Sequence, residues 1–165
     1  MLGRDYHDEN CSVARALETL GERWTMLIVR DAFLGVRRFD GFARKLGLAP
    51  NILSKRLATL VEAGVLARRA YHERPLRYEY ALTERGLELF PVIVALMAWG
   101  DRHFAPTGPP VRLRHRDCGG DLDAGTRCAI CDEPVGPRDA EWWWGPGSRR
   151  PAAPIPVPPL SSHAA

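Results

Sequence analysis

The sequence predicts a mainly α domain closed by a short antiparallel hairpin, an α+β arrangement, followed by a small module tied together by cysteine and histidine. Three observations predict it. Between residues 11 and 63, apolar residues recur at helical spacing in four segments punctuated by Gly21, Gly35, Gly47 and Gly64. Two strand-like runs then flank a polar, Arg-rich link. Beyond Pro106, Gly108, Pro109 and Pro110, the pairs His115-x-x-Cys118 and Cys128-x-x-Cys131 stand nine residues apart.

Each element can be argued in chain order. Residues 1–10 read as a flexible polar arm. Residues 11–20 form a first helix with Val13, Ala14, Leu17 and Leu20 on one face. Residues 24–34 (WTMLIVRDAFL) are apolar enough to be the buried centre of the domain. In RRFDGFARKLG, Phe39, Phe42, Ala43 and Leu46 make an i, i+3, i+4, i+7 stripe, and Gly47 suits a helix terminus. After the turn LGLA, Pro50 stands where a first-turn proline is tolerated. It opens a helix that turns Leu53, Leu57, Leu60 and Val61 inward and leaves Asn51, Ser54, Lys55, Ala58 and Glu62 elsewhere.

Residues 65–71 and 78–82 read as strands, with HERPLR between them as an exposed tip. Thr83 is placed to cap a helix running to about residue 104, with Pro91 as a point of bending. The apolar residues of that helix cover more than one face. One face can pack on the domain; a second needs another partner, most simply a second copy of the chain. Residues 11–105 thus form one domain and residues 111–144 a small module. The tail 145–165, rich in Pro, Ala and Ser, reads as disordered.

Charge is unevenly placed. The chain of 165 residues has a formal net charge of +3, yet residues 37–77 hold ten basic side chains against three acidic ones, a net of +7, leaving −4 elsewhere. A basic centre of this kind suits a polyanion, although a solvated charged face is the alternative reading. The order helix, helix, helix, turn, helix, strand, strand favours the first. It is that of a winged helix-turn-helix, in which a supporting helix and a short turn present a second helix to the roughly 12 Å major groove of DNA. Asn51, Ser54 and Lys55 are expected on the groove side, with Arg56 and Thr59 near its edge. Arg37 and Arg38 are placed for phosphates. Arg74 and Arg77 lead the contacts from the wing, followed by Arg69 and His72. An internal pairing of Arg56 or Arg69 with Glu62 or Glu73 is the alternative for those two side chains.

The segments CSVARALETLGERWTMLIVRD (11–31), RRFDGF (37–42), NILSKRLATLVEAGVL (51–66), YEYALTERG (78–86) and AWG (98–100) together resemble the HxlR-type regulators, relatives of the MarR-type winged-helix proteins. The resemblance implies a homodimeric regulator whose first and last helices form the dimer interface. Its two recognition helices would meet successive major grooves of palindromic double-stranded DNA. It also implies a repressor or an activator, in some members responsive to small molecules or oxidants. Cys11 matches a cysteine that resembles a redox sensor in some members, and thiols at helix N-termini are the more reactive ones. The alternative is a plain, partly buried thiol, since the winged domain has no second cysteine to resolve an oxidised one.

His115, Cys118, Cys128 and Cys131 have the spacing by which two knuckles bring four ligands around Zn²⁺. Gly119 and Gly120 suit a tight knuckle, and the segment resembles a zinc ribbon. Four protein ligands leave no open position, so the expected zinc is structural. Asp117, Asp121 and Asp132 are alternatives to His115, and a Cys128–Cys131 redox pair is the alternative to a metal. Trp142, Trp143 and Trp144 cannot all be buried on one face of a strand; they are expected to seal the module, with an aromatic ligand box as the alternative.

Other classes are disfavoured. The acidic N-terminus lacks the apolar run of a signal peptide and no segment has the length of a membrane span, so a cytoplasmic protein is expected. No phosphate loop, nucleophile elbow or catalytic carboxylate pair is visible, so no enzyme activity is expected. A thiol-disulfide protein built on Cys128 and Cys131 and a winged-helix adaptor for proteins remain the two rivals.

Overall fold

The computed structural model describes residues 10–160. The flexible arm expected at residues 1–10 lies outside them except for Asn10, as does the end of the tail. The described residues divide into two compact units, 10–86 and 87–160. The division falls inside the domain expected at 11–105, not at the Pro/Gly stretch that follows it.

The first unit is built from α1 (Ser12–Leu20), α2 (Thr25–Phe33), α3 (Phe39–Leu46), α4 (Pro50–Glu62), β1 (Leu66–Glu73) and β2 (Leu76–Leu82). Ile28, Val29 and Phe33 of α2, Phe42 of α3 and Leu53, Leu57 and Leu60 of α4 are wholly buried. At roughly 1.5–3 kcal/mol for each large apolar side chain, this cluster carries the unit. Gly47 ends α3 in the left-handed conformation, φ 63°, donating its N–H to Ala43 O. Gly64 does the same after α4 at φ 68°.

On α1, Ala14 is buried, but Val13 is 67% exposed and Leu17 is also exposed, so much of the apolar stripe turns to solvent. The strands β1 and β2 pair antiparallel from Leu66↔Leu82 to Glu73↔Leu76, with an irregularity between Ala70 and His72. Arg37 and Arg38 run alongside β2: Tyr80 N–H donates to Arg37 O at 2.7 Å and Arg38 bridges Glu79.

Thr83 caps the next helix as expected. Gly86 N–H donates to its Oγ1 at 3.0 Å while the hydroxyl donates to Gly64 O at 2.6 Å. The single bent helix does not form. A short α5 (Glu84–Leu87) ends, and α6 (Phe90–Phe104) begins with Pro91 in its first turn. Proline lacks the N–H that a continuing helix needs, but a first-turn N–H is unpaired in any case, so the chain restarts there instead of bending.

In the second unit, β3 (Val111–His115) pairs antiparallel with β4 (Ala140–Trp144). Leu113, Cys128, Val135, Ala140 and Trp142 are buried between them and the connecting turns. The tail expected to be disordered instead adds to this sheet. Trp144 N–H donates to Ala153 O at 2.9 Å and Ile155 N–H to Trp142 O at 2.7 Å. Its composition is that of a loose segment, but the sheet needs only the one N–H that Ile155 supplies between Pro154 and Pro156.

Candidate nucleic-acid interface and metal centre

Helix α4 has two faces set by its sequence. Leu53, Leu57 and Leu60, spaced four and three apart, are buried, and this turns Asn51, Ser54, Lys55 and Ala58 outward, where all four are exposed. The turn from α3 is only three residues long, from Gly47 to Ala49, as a helix-turn-helix requires. Thr59 is half-buried and its hydroxyl donates to Lys55 O at 3.1 Å. It is occupied by its own helix.

Arg56 is corrected. Its side chain is 15% exposed and pairs with Glu22 Oε2 at 2.8 Å, so it ties α4 to the segment before α2 and does not border the outward face. The partner is neither Glu62 nor Glu73, the two candidates nearer in sequence.

On the hairpin, Arg69, His72, Arg74 and Arg77 are all exposed. Arg74 and Arg77 flank the tip, where His72 Nδ1 lies 2.9 Å from Pro75 O. Arg38 is exposed and its guanidinium stacks at 4.5 Å on the ring of Tyr71, the residue at the strand irregularity. Arg68 stacks on Tyr78 at 4.4 Å. Arg37 is half-buried at the root of the hairpin. The fold therefore brings the outward side of α4, Arg38 and the wing cations into one unit.

The sequence reading missed a buried charge cluster beneath this face. Asp31 is wholly buried in α2, with Arg30 at 2.9 Å and Lys45 of α3 at 3.0 Å from its Oδ1. The two cations flank the carboxylate, and the Lys45 pair locks α3 onto α2. The available signal was an acid inside an otherwise apolar helix.

In the second unit, His115, Cys118, Cys128 and Cys131 converge with all ligand atoms within 4.8 Å of one another. Cys118 Sγ lies 3.3 Å from Cys128 Sγ, 3.8 Å from Cys131 Sγ and 3.4 Å from His115 Nδ1, and Cys131 Sγ lies 3.3 Å from the same nitrogen. A tetrahedral Zn²⁺ with bonds of about 2.3 Å to sulfur and 2.0–2.1 Å to nitrogen has edges of about 3.6–3.8 Å. The four donors thus outline a shell of nearly that size.

The local backbone explains how. Gly119, at φ 72°, donates its N–H to His115 O, and Asp132, at φ 58°, donates to Cys128 O, one tight knuckle on each side. A Cβ on Gly120 would stand 2.4 Å from Cys128 Sγ, so that glycine leaves room for the sulfur.

Charge also suits a cation. The backbone N–H of Cys131, with that of Ile130 behind it, holds the Cys128 thiol down to about 6. Cys131 is drawn down by the backbone of Glu133, but burial and the Cys128 and Cys118 thiols push it up to about 11. Three sulfurs this close cannot all be thiolates without a cation among them. His115 presents Nδ1 to the sulfurs and Nε2 towards Asp117 at 3.8 Å, a carboxylate placed to orient the ring.

The other expected stand-ins are committed elsewhere. Asp132 is held by Arg127, which draws its carboxyl below the usual range, and Asp121 pairs with Arg112. Of the three tryptophans, Trp142 is buried. Trp143 and Trp144 are half-buried under Arg114 and Arg150 at 4.9 and 4.7 Å.

With this geometry in hand, three comparisons agree. The HxlR-like helix-turn-helix family matches residues 19–107. An uncharacterized HTH-type transcriptional regulator of Mycobacterium tuberculosis is 50% identical over 140 residues, covering 84% of this chain and 89% of that protein. The HTH-type regulator YdeP of Bacillus subtilis is 35% identical over 107 residues, covering 62% and 83%.

The chain belongs to the HxlR-like helix-turn-helix family. Among solved structures, PA1607, a candidate transcription factor, has 44% sequence identity and a TM-score of 0.64, covering 79% of this chain and 92% of its own. The redox regulator HypR in its reduced form has 29% identity and a TM-score of 0.53, covering 56% and 92%. This HxlR-like protein is a transcriptional regulator with a winged helix-turn-helix. In it, Cys11 stands at the N-cap of α1 and is half-buried. No helix among its described residues is long and apolar enough to cross a membrane.

Proposed function

We propose that this HxlR-like regulator binds a palindromic operator as a homodimer in the cytoplasm, represses or otherwise controls transcription from it, and performs no chemistry of its own. The observation that carries the reading is the outward face of α4, where Asn51, Ser54 and Lys55 stand exposed while Leu53, Leu57 and Leu60 are buried. Asn51 and Lys55 have the donors and acceptors to read base edges, and Ser54 suits a phosphate. Arg38, Arg69, His72, Arg74 and Arg77 supply cations for flanking phosphates, with Arg37 at their root.

The homodimer is supported by apolar side chains left in solvent on both helices that the family pairs. These are Val13 and Leu17 on α1, and Val92, Leu96, Trp99 and Phe104 on α6. Zn²⁺ held by His115, Cys118, Cys128 and Cys131 would fix the fold of the second unit, its four protein ligands leaving no position for a substrate. The same convergence argues against an isolated Cys128–Cys131 redox pair. A response to oxidants through Cys11 is a second reading, supported by the likeness to HypR.

The test is selection and footprinting of bound DNA with the full chain. Two protected half-sites about one helical turn apart are expected. Asn51→Ala and Lys55→Ala should each cost about 1–3 kcal/mol on the selected site and relax its sequence. Arg74→Ala and Arg77→Ala should instead weaken binding to all sequences and lower the salt slope by about one each. Equal losses on all DNA for Asn51→Ala would overturn the assignment of the groove face.

A further inference from the structure

Away from the recognition helix and the sulfur cluster, the second unit contains a cavity of about 230 Å³. Val94, Met97 and Asp101, three and four residues apart on one face of α6, line it from the helix. Leu113, Asp121 and Leu122 line it from the small module. Its walls are thus mainly aliphatic, with carboxylates set among them.

Those carboxylates are not equivalent. Asp121 is paired with Arg112, which also lines the cavity. Asp123, at its margin, accepts the N–H groups of Gly125 and Arg127 through Oδ1 at 2.8 Å each. Asp101 is half-buried, and among the described residues neither a hydrogen bond nor an ion pair engages its carboxylate. Partial burial raises its carboxyl above the ordinary range, with no partner to offset it.

An open apolar void forfeits packing contacts, and an uncompensated carboxylate forfeits solvation. One kind of ligand relieves both. A neutral apolar molecule would fill the void and leave Asp101 alone. An anion would meet carboxylates and a guanidinium that is already neutralised.

We propose that this cavity binds a small organic ammonium ion with an apolar body, its charge against Asp101 and its body among Met97, Leu113 and Leu122. The volume lies below the roughly 300–1,000 Å³ of drug-sized sites, so the fit is to a single-ring amine and not to a larger drug-like molecule. The site does not depend on the DNA-binding reading, because it is formed within residues 94–123 and can be titrated without DNA.

Calorimetry on the full chain tests it, with 2-phenylethylammonium chloride as the probe and 2-phenylethanol and 3-phenylpropionate as matched neutral and anionic controls. Saturable one-to-one binding of the ammonium ion is expected, with the alcohol at least about tenfold weaker and the carboxylate silent. Asp101→Asn should weaken the ammonium ion at least about tenfold and leave the alcohol unchanged. Ala98→Leu, at another residue that lines the cavity, fills it without altering its charge and should abolish binding while the far-ultraviolet circular dichroism stays that of the parent. No saturation by about 10 mM, equal binding of alcohol and ammonium ion, or full binding by Asp101→Asn would each overturn the proposal. Should Asp101→Asn fail to fold, undiminished binding by Ala98→Leu overturns it alone.

Discussion

The first unit and the small module within the second are held together by different physics. Residues 10–86 bury a continuous apolar cluster, with Phe33, Phe42, Leu53, Leu57 and Leu60 fully removed from solvent. The small module of residues 111–144 buries far less: Leu113, Val135, Ala140 and Trp142, alongside a knot of three sulfurs and an imidazole. A segment that short gains little from hydrophobic burial alone, and the proposed zinc shell would supply the difference. The first unit is a core that carries charge on its surface; the module is a donor cluster that collects a small core.

Four measurements break or sharpen that contrast. The largest effect belongs to the zinc proposed for His115, Cys118, Cys128 and Cys131. Stripping it with a strong chelator, or replacing Cys118 and Cys131 by serine, should remove a contribution of about 10–16 kcal/mol and unfold the module. Amide exchange should then rise across residues 111–144 and stay slow in α2 and α4. Loss of protection in both units at once would show that they are not separately stabilised.

Leu57→Ala should do the converse. It opens a cavity in the first unit at about 2–5 kcal/mol, lowering the denaturation midpoint with metal content unchanged. Gly120→Ala should cost about 1–3 kcal/mol, because the added Cβ must displace Cys128 Sγ. Weaker retention of metal in a chelator competition is the readout, and parental retention would discount the tight fit. The smallest effect is Glu22→Gln, which removes a partly exposed ion pair with Arg56 worth about 0.2–1 kcal/mol. Its expected signature is a small shift in thermal midpoint that shrinks with added salt.

The contrast also explains what the sequence could disclose. In the first unit the helical periodicity, Gly47, Pro50 and Thr83 placed α3, α4, the turn and the cap, because these depend on neighbours three or four residues away. In the second unit the ligand spacing located the sulfur knot for the same reason. What stayed hidden depends on distant partners. Arg56 finds Glu22, 34 positions earlier, and Asp31 finds Lys45, so neither pairing is written in local pattern. An apolar stripe such as that of Val13 and Leu17 reads alike whether its own chain covers it or a second copy does. Nor does a helical pattern distinguish a bend at Pro91 from a fresh start there.

The proline-rich end has a consequence beyond its own order. It occupies the outer side of β4 through Ala153 and Ile155, where a foreign strand would otherwise dock beside Trp142 and Trp144. Pro151, Pro154, Pro156, Pro158 and Pro159 present imide nitrogens with no hydrogen to donate, so the strip they form cannot template another strand in turn. The ribbon is hemmed by chemistry that halts propagation, and an aromatic-rich edge that would invite fibrils is closed by residues whose composition had suggested mere slack.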